Sequence, residues 1–479
     1  MGRPIVMSNR TASHKPPMML DDPAEETEYV SLSPARPRTM STLALAATAL
    51  VSGLANGYNG TVLEGAIPRL RDAGVIYSSW QSGLLGGALS LGGLSGSLAC
   101  TELAYRLARR NLVIFGEMII IGSTLAFSFA PNFDIILAAR TLTGIGVGIC
   151  GLAKPLIVSE QSPPQMRGLL VALFAVGQSI GMNAFYVTDL LMPPSSARWA
   201  WRVLVGLGAT PAVAVVLLAK LAAPQGGYWD VPPSALREGA AAPTSLEASS
   251  TKRRDAPEAD EPLKQLATLL TREPFELKRN FLLILALQIG YNLSGTLIIS
   301  NYASDIFAVA GASDRSLPIV VGIVQFAGLL SAAVFTDRLG RRPLLLWSCG
   351  LTVVCLYAIA SLIGFQDALA PTLGGAFTPA LLALMVAVEY AVGVGLNPIR
   401  IVLSAELMPN RYRSLGMALG NAAGWGFGLF QLFFFPVLSS LLGGPAPQFA
   451  FFATIVSALT IVLVLFLPET KGISFGGEE

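Results

Sequence analysis

The sequence predicts an all-α membrane protein with twelve transmembrane helices arranged as two six-helix bundles. Three observations predict it. Of 479 residues, 53% are hydrophobic and 13% charged, whereas a soluble domain carries about a quarter charged residues; the mean hydropathy is +0.60. Apolar runs near the ~20 residues that a helix needs to cross a ~30 Å hydrocarbon core occur twelve times. One long polar stretch, 224–279, divides the runs six and six.

Residues 1–41 are polar and contain prolines, without the short apolar core and cleavage site of a secretory signal, so they read as a cytosolic tail. The runs 43–66, 81–105, 112–130, 134–158, 169–191 and 202–222 form a first bundle within 42–222. They are read as helices because lipid offers no partner to backbone N–H and C=O groups, and a helix satisfies its own. The stretch 223–279 is a cytosolic linker in which Lys252, Arg253 and Arg254 stand beside Asp255, Glu258, Asp260 and Glu261. Its first part reads as flexible and 263–279 as a helix on the membrane surface. The runs 281–302, 317–335, 344–365, 379–403, 415–438 and 449–467 form a second bundle within 280–468, and 469–479 is a second cytosolic tail.

Arginine in the short loops sets the orientation. Arg106, Arg109, Arg110, Arg167, Arg338, Arg341, Arg342, Arg411 and Arg413 fall on the side of the termini, against Arg69, Arg71, Arg198 and Arg315 on the other. Both termini are therefore expected in the cytosol, and the N-glycosylation patterns at Asn9, Asn59 and Asn292 unused. The plasma membrane is the first expectation; YVSL at 29–32 resembles a sorting signal and leaves an internal membrane open. The single histidine, His14, lies in the N-terminal tail, and Cys100, Cys150, Cys349 and Cys355 are scattered singly. No metal site, no cofactor and no enzymatic activity is expected, and a net charge of +2 without a basic stripe gives no nucleic-acid partner. The expected partners are a small solute and the bilayer, with the chain monomeric.

Two loops at equivalent places imply an internal duplication. DRLGRR (337–342) joins runs eight and nine, and YRLARR (105–110) joins runs two and three. Repeated bundles of this kind place a solute site between them near the midplane.

These motifs resemble the major facilitator superfamily and, within it, the sugar-porter family of facilitative glucose carriers and proton-sugar symporters. DRLGRR is similar to the family's D-R-x-G-R-R loop, and RTLTGIGVG from Arg140 to its R-x-x-x-G-x-G helix. PLIVSEQSPPQMRG (155–168) and AELMPNRYR (405–413) resemble its two E-x-x-P-x-x-x-R segments. PETKG (468–472) resembles its C-terminal signature, and GYNGTV (57–62) its GYNTGV or GYDTGV. The resemblance implies alternating access without ATP. It also implies an ion-pair latch on the inner rim: Glu102, Arg109, Arg110, Glu160, Arg167, Asp337, Arg341, Arg342, Glu406 and Arg413, since arginine forks bind carboxylates bidentately. In the first-half loop Tyr105 stands where the motif has Asp and Ala108 where it has Gly, with Glu102 one turn earlier as a substitute.

In the family, symporters carry Asp after GY; here Asn59 stands there, and an amide takes no proton at physiological pH. Uniport is therefore expected, with Arg140 as the neighbour of Asn59 and, with Glu389, a coupling candidate. The helix-seven QQLSGIN appears as YNLSGTL (291–297), and the helix-ten G-P-x-P-x-P-W as GLNPIRI (395–401), where Arg400 replaces a proline. Candidate solute contacts are Asn59, Gln178, Gln288, Asn292, Ser294, Asn301, Gln325, Asn397, Arg400 and Trp425, as hydrogen-bonding groups with one aromatic face. Interhelical packing is the plain alternative for each. Glu389 and Arg400 are eleven residues apart, about 16 Å of helix rise, so each needs another partner. Arg400 and Lys154 lie toward helix ends from which long side chains can reach the surface; Arg400 in the cavity would instead favour an anion. The expected solute is a hexose or polyol. The alternatives are an organic-anion or amino-acid carrier using Arg400, and a transport-inactive nutrient sensor or scaffold.

Overall fold

The computed structural model of the protein describes residues 41–162, 166–193, 199–221, 262–309 and 314–468. The two tails, most of the linker and PETKG beyond Pro468 lie outside them. The described chain is helical: α1 Thr42–Thr61, α2 Leu63–Asp72, α3 Ser79–Arg106, α4 Arg109–Phe129, α5 Phe133–Gln161, α6 Arg167–Leu191, α7 Ala200–Gly206, α8 Ala209–Leu221 and α9 Pro262–Thr271. There follow α10 Phe275–Asn292, α11 Thr296–Val309, α12 Leu317–Leu339, α13 Arg341–Gly364, α14 Gln366–Leu373, α15 Phe377–Val394, α16 Leu396–Glu406, α17 Asn410–Leu441 and α18 Ala446–Phe466. Helix starts follow capping chemistry: Ser41, Ser78 and Asn132 accept hydrogen bonds from the backbone N–H groups of Ala44, Gln81 and Ile135.

Ten spans are long and apolar enough to cross a bilayer by composition alone. The crossings that contain α1 and α6 complete the twelve. Crossings one, six, seven and ten are pairs of helices (α1–α2, α7–α8, α10–α11, α15–α16). The predicted fold class stands: twelve spanning helices in two six-helix bundles. α9 packs against α17 and α10, with Leu269 buried.

Within each bundle the helices meet through small residues, as expected where lipid supplies no hydrophobic drive between helices. Gly53 and Gly57 of α1 face Gly177 and Gly181 of α6 so closely that a Cβ on any of them would overlap backbone of the other helix. The pair α3–α5 repeats this with Gly92, Gly96, Gly144 and Gly148. The equivalent pair in the second bundle, α12–α15, meets at Gly328 and Gly393. The same helix pairs in both halves express the duplication. The halves join along three seams, α3 on α17, α6 on α12 and α2 on α11. Leu125, Leu217, Ile323, Val354 and Leu465 remain exposed and are suited to face lipid.

Two breaks expose backbone groups inside the membrane, and hydroxyls bind them. At Gly395, between α15 and α16, Ser348 of α13 donates to the Ala391 carbonyl (2.6 Å) and accepts from the Leu396 N–H (3.0 Å). At the α10–α11 break Gly295 takes φ +85°, and Ser294 donates to the Tyr291 carbonyl (2.7 Å). Replacing Ser348 by alanine strips the Leu396 N–H of its partner, while the Ala391 carbonyl keeps the Gly395 N–H (3.1 Å), and is expected to destabilise the protein by about 1–3 kcal/mol. Thermal melting of the purified protein in detergent measures it; an unchanged melting temperature would contradict the stitching role.

Candidate functional site

One rim of the bundle carries both ends of the described spanning region and the 2–3, 4–5, 8–9 and 10–11 loops; it is called the terminus rim here, and the opposite one the far rim. In the second bundle, four predicted residues meet next to the helix breaks. The Arg400 guanidinium lies over the Tyr291 ring, 3.8 Å from its centroid. Its NH1 donates to Gln288 Oε1 (2.5 Å) and its NH2 to Asn397 Oδ1 (3.2 Å). Asn292 is one turn on from Gln288 and donates to its backbone carbonyl (2.8 Å). The cluster exists because α10 and α16 both end or begin at a break, which brings Gln288 and Tyr291 against Asn397 and Arg400. Glu389 of α15, fully buried, accepts from Gln325 Nε2 of α12 (2.7 Å). Glu389 and Arg400 thus have separate partners.

In the first bundle Asn59 is held on all sides. Its Nδ2 donates to the carbonyls of Ala55 (2.9 Å) and Gly208 (3.0 Å), and its Oδ1 accepts from Thr124 (3.4 Å). Arg140, 1% exposed, donates to the backbone carbonyl of Asn59 (2.8 Å). Lys154 differs from the sequence expectation: it is buried in an ion pair with Glu117 of α4 and does not reach the surface. A carboxylate on the neighbouring helix is nearer than the headgroups, and pairing removes the need to snorkel.

Among the other predicted solute contacts, Gln178 is exposed on α6 with its backbone against Gly57. Ser294 serves the helix break, and Asn301 donates within its own helix to the Leu297 carbonyl (3.0 Å). Trp425 lies against Gly93 at the α3–α17 seam, where Asn421 also donates to Ser97 (3.2 Å).

On the terminus rim, residues of the predicted latch make contacts within their own half. Arg341 reaches Glu406 (3.5 Å), Glu102 pairs with Arg106 (2.7 Å), and Arg109, Arg110 and Arg342 donate to the carbonyls of Ala104, Lys220 and Val464. The side chains of Glu160, Arg167, Asp337 and Arg413 lie outside the described residues.

The far rim holds a set that sequence reasoning missed. Arg71 binds both carboxylate oxygens of Asp305 (2.9 and 3.3 Å), joining the two halves. Asp189 of α6 pairs with Arg69 in its own half and with Arg315 (3.3 Å) in the other. Glu64 accepts from the backbone N–H and hydroxyl of Ser304 (2.8 and 2.6 Å). Tyr186 and Asn183 add hydrogen bonds to the carbonyls of Ser300 and Gly322 (both 3.1 Å). Among the described residues, both ion pairs that join the halves lie on this rim. The signal was present: the far-side arginines have aspartates at the ends of runs five and seven to match them.

A profile of the family described as "Sugar (and other) transporter" matches residues 42–477. The chain is 27% identical to Polyol transporter 5 of Arabidopsis thaliana over 97% of its own length and 89% of that protein's. It is 26% identical to the galactose-proton symporter of Escherichia coli (strain K12), over 89% and 91%. Among solved structures it is similar in fold to the partially occluded inward-open form of the E. coli xylose transporter XylE, with a TM-score of 0.71 at 18% identity, covering 90% of this chain and 99% of that one. A profile matched from the first crossing to the C-terminal tail, on a fold of two duplicated six-helix bundles, establishes that the chain belongs to the sugar transporter family of the major facilitator superfamily.

Proposed function

We propose that the chain carries a hexose- or polyol-sized solute across the bilayer by alternating access, as a uniporter. The Asn59–Arg140 network carries the uniport reading. Where a proton-coupled carrier needs an acid next to its helix-four cation, this chain has an amide whose donors and acceptor are all engaged with protein, and an amide takes no proton. The amides of Gln288, Asn292 and Asn397, gathered beside Tyr291, offer the neutral hydrogen-bonding groups that a sugar requires. The far-rim pairs between the halves support rocking: they hold that rim shut and have to separate when it opens.

The test is uptake into proteoliposomes of hexoses and polyols with and without a pH gradient. Uniport predicts equilibration at equal concentrations in both cases. Accumulation driven by the gradient would overturn it. Asn59→Asp, which sets an acid beside Arg140, is expected to make transport pH-dependent where the parent is not.

The arginine-rich terminus rim is placed in the cytosol, with the plasma membrane as the site of action. Protease access to an N-terminal epitope in intact cells tests the orientation; cleavage without permeabilisation would reverse it.

A further inference from the structure

We infer that the preferred solute is a sugar acid, a hexuronate or aldonate, whose carboxylate is bound by Arg400. The inference rests on the sugar-or-polyol reading and narrows it. Arg400 sits within a membrane-spanning crossing, and its hydrogen-bond partners, Gln288 and Asn397, are neutral. Its Nε has no partner, and no carboxylate among the described residues pairs with it. The other intramembrane cations are accounted for differently. Lys154 has Glu117; Arg140, whose Nε is also without a partner, is sealed at 1% exposure with its NH1 on a backbone carbonyl. Arg400 is only partly buried, unlike Lys154 and Arg140.

A guanidinium held in the membrane interior without a counter-charge is costly, and such groups mark solute or ion paths. Here the missing charge is supplied from outside the protein. Stacking on Tyr291 holds the plane of the guanidinium, which favours the flat fork-to-fork geometry of a carboxylate. On the side of α17 the cluster faces glycines, Gly420 and Gly424, which pack on Gln288 and Asn292 without side chains of their own. Those amides are placed to bind hydroxyls while Arg400 binds the acid. A zwitterionic amino acid fits poorly: its ammonium sits on the same carbon as its carboxylate, whereas the groups around Arg400 (Gln288, Tyr291 and Asn397) are neutral.

The experiment is titration calorimetry on the purified full-length protein at neutral pH. The ligands are D-glucuronate, D-gluconate, D-glucose, D-glucitol, lactate and glucose 6-phosphate. Each acid is expected to bind about tenfold or more tighter than its neutral counterpart, the scale of one charge-assisted pair. Arg400→Gln is expected to bring that ratio close to one, and Arg400→Lys, a point charge without the fork, to an intermediate value. If Arg400→Gln does not fold, the wild-type ratio and Arg400→Lys still decide. Acids binding no tighter than neutral sugars, or an unchanged ratio in either variant, would overturn the inference while leaving the sugar reading in place. Lactate binding as well as glucuronate, or glucose 6-phosphate binding tighter, would overturn the sugar-acid class. Binding of no polyhydroxylated compound at all would instead remove the sugar reading itself.

Discussion

Asp189→Ala is expected to destabilise the far-rim-closed state by about 3 kcal/mol, because it strips the carboxylate from a buried arginine. Arg69 is only 4% exposed at its side chain and Asp189 15%, so water cannot replace the lost partner. Arg315 loses its side-chain contact to the same carboxylate. Asp305→Ala provides the contrast: the Arg71–Asp305 pair is 40% and 35% exposed, and pairs this open contribute about 1 kcal/mol or less. The expected result is a large fall in melting temperature and a shift toward the far-rim-open state for Asp189→Ala, and a small one for Asp305→Ala. Equal effects would mean that burial does not set the strength of this rim.

The second large effect is at Glu117. Glu117→Ala leaves Lys154, 1% exposed at its side chain, as an unpaired cation inside the first bundle, at a cost of about 3–5 kcal/mol. Removing both charges together, as Glu117→Leu with Lys154→Met, is expected to recover most of that loss, since an apolar pair of similar volume often serves as well as a buried ion pair. Melting curves of the two singles and the double, with sugar uptake as a second readout, give the coupling. A double variant no more stable than Glu117→Ala would show that the two side chains act independently.

The fold was legible in the sequence because membrane insertion imposes a period of apolar runs that composition alone reveals, and because the duplicated DRLGRR and YRLARR loops fix the halves. Gly53, Gly57, Gly177 and Gly181 let two backbones touch, a role that a hydropathy profile does not reveal. The site was legible one residue at a time. Gln288, Asn292, Asn397 and Arg400 stand out as polar groups within apolar runs, but their meeting depends on two helix breaks that bring α10 against α16. Tyr291 read only as a missing glutamine, and its role under Arg400 needs the third dimension. The far-rim set joins residues more than a hundred positions apart, and Arg69, Arg71 and Arg315 carried only a topological meaning until their aspartates were placed.

The most direct measurement of the rocking account is the distance between spin labels across each rim. One pair goes on exposed far-rim positions, Tyr77 and Asp314, and another on exposed terminus-rim positions, Leu221 and Leu339. Asp189→Ala, or saturating transported sugar, is expected to lengthen the far-rim distance in part of the population while the terminus-rim distance shortens in the same fraction. Distances that stay fixed on both rims, or that lengthen together, would contradict two bundles that open to one side of the membrane at a time.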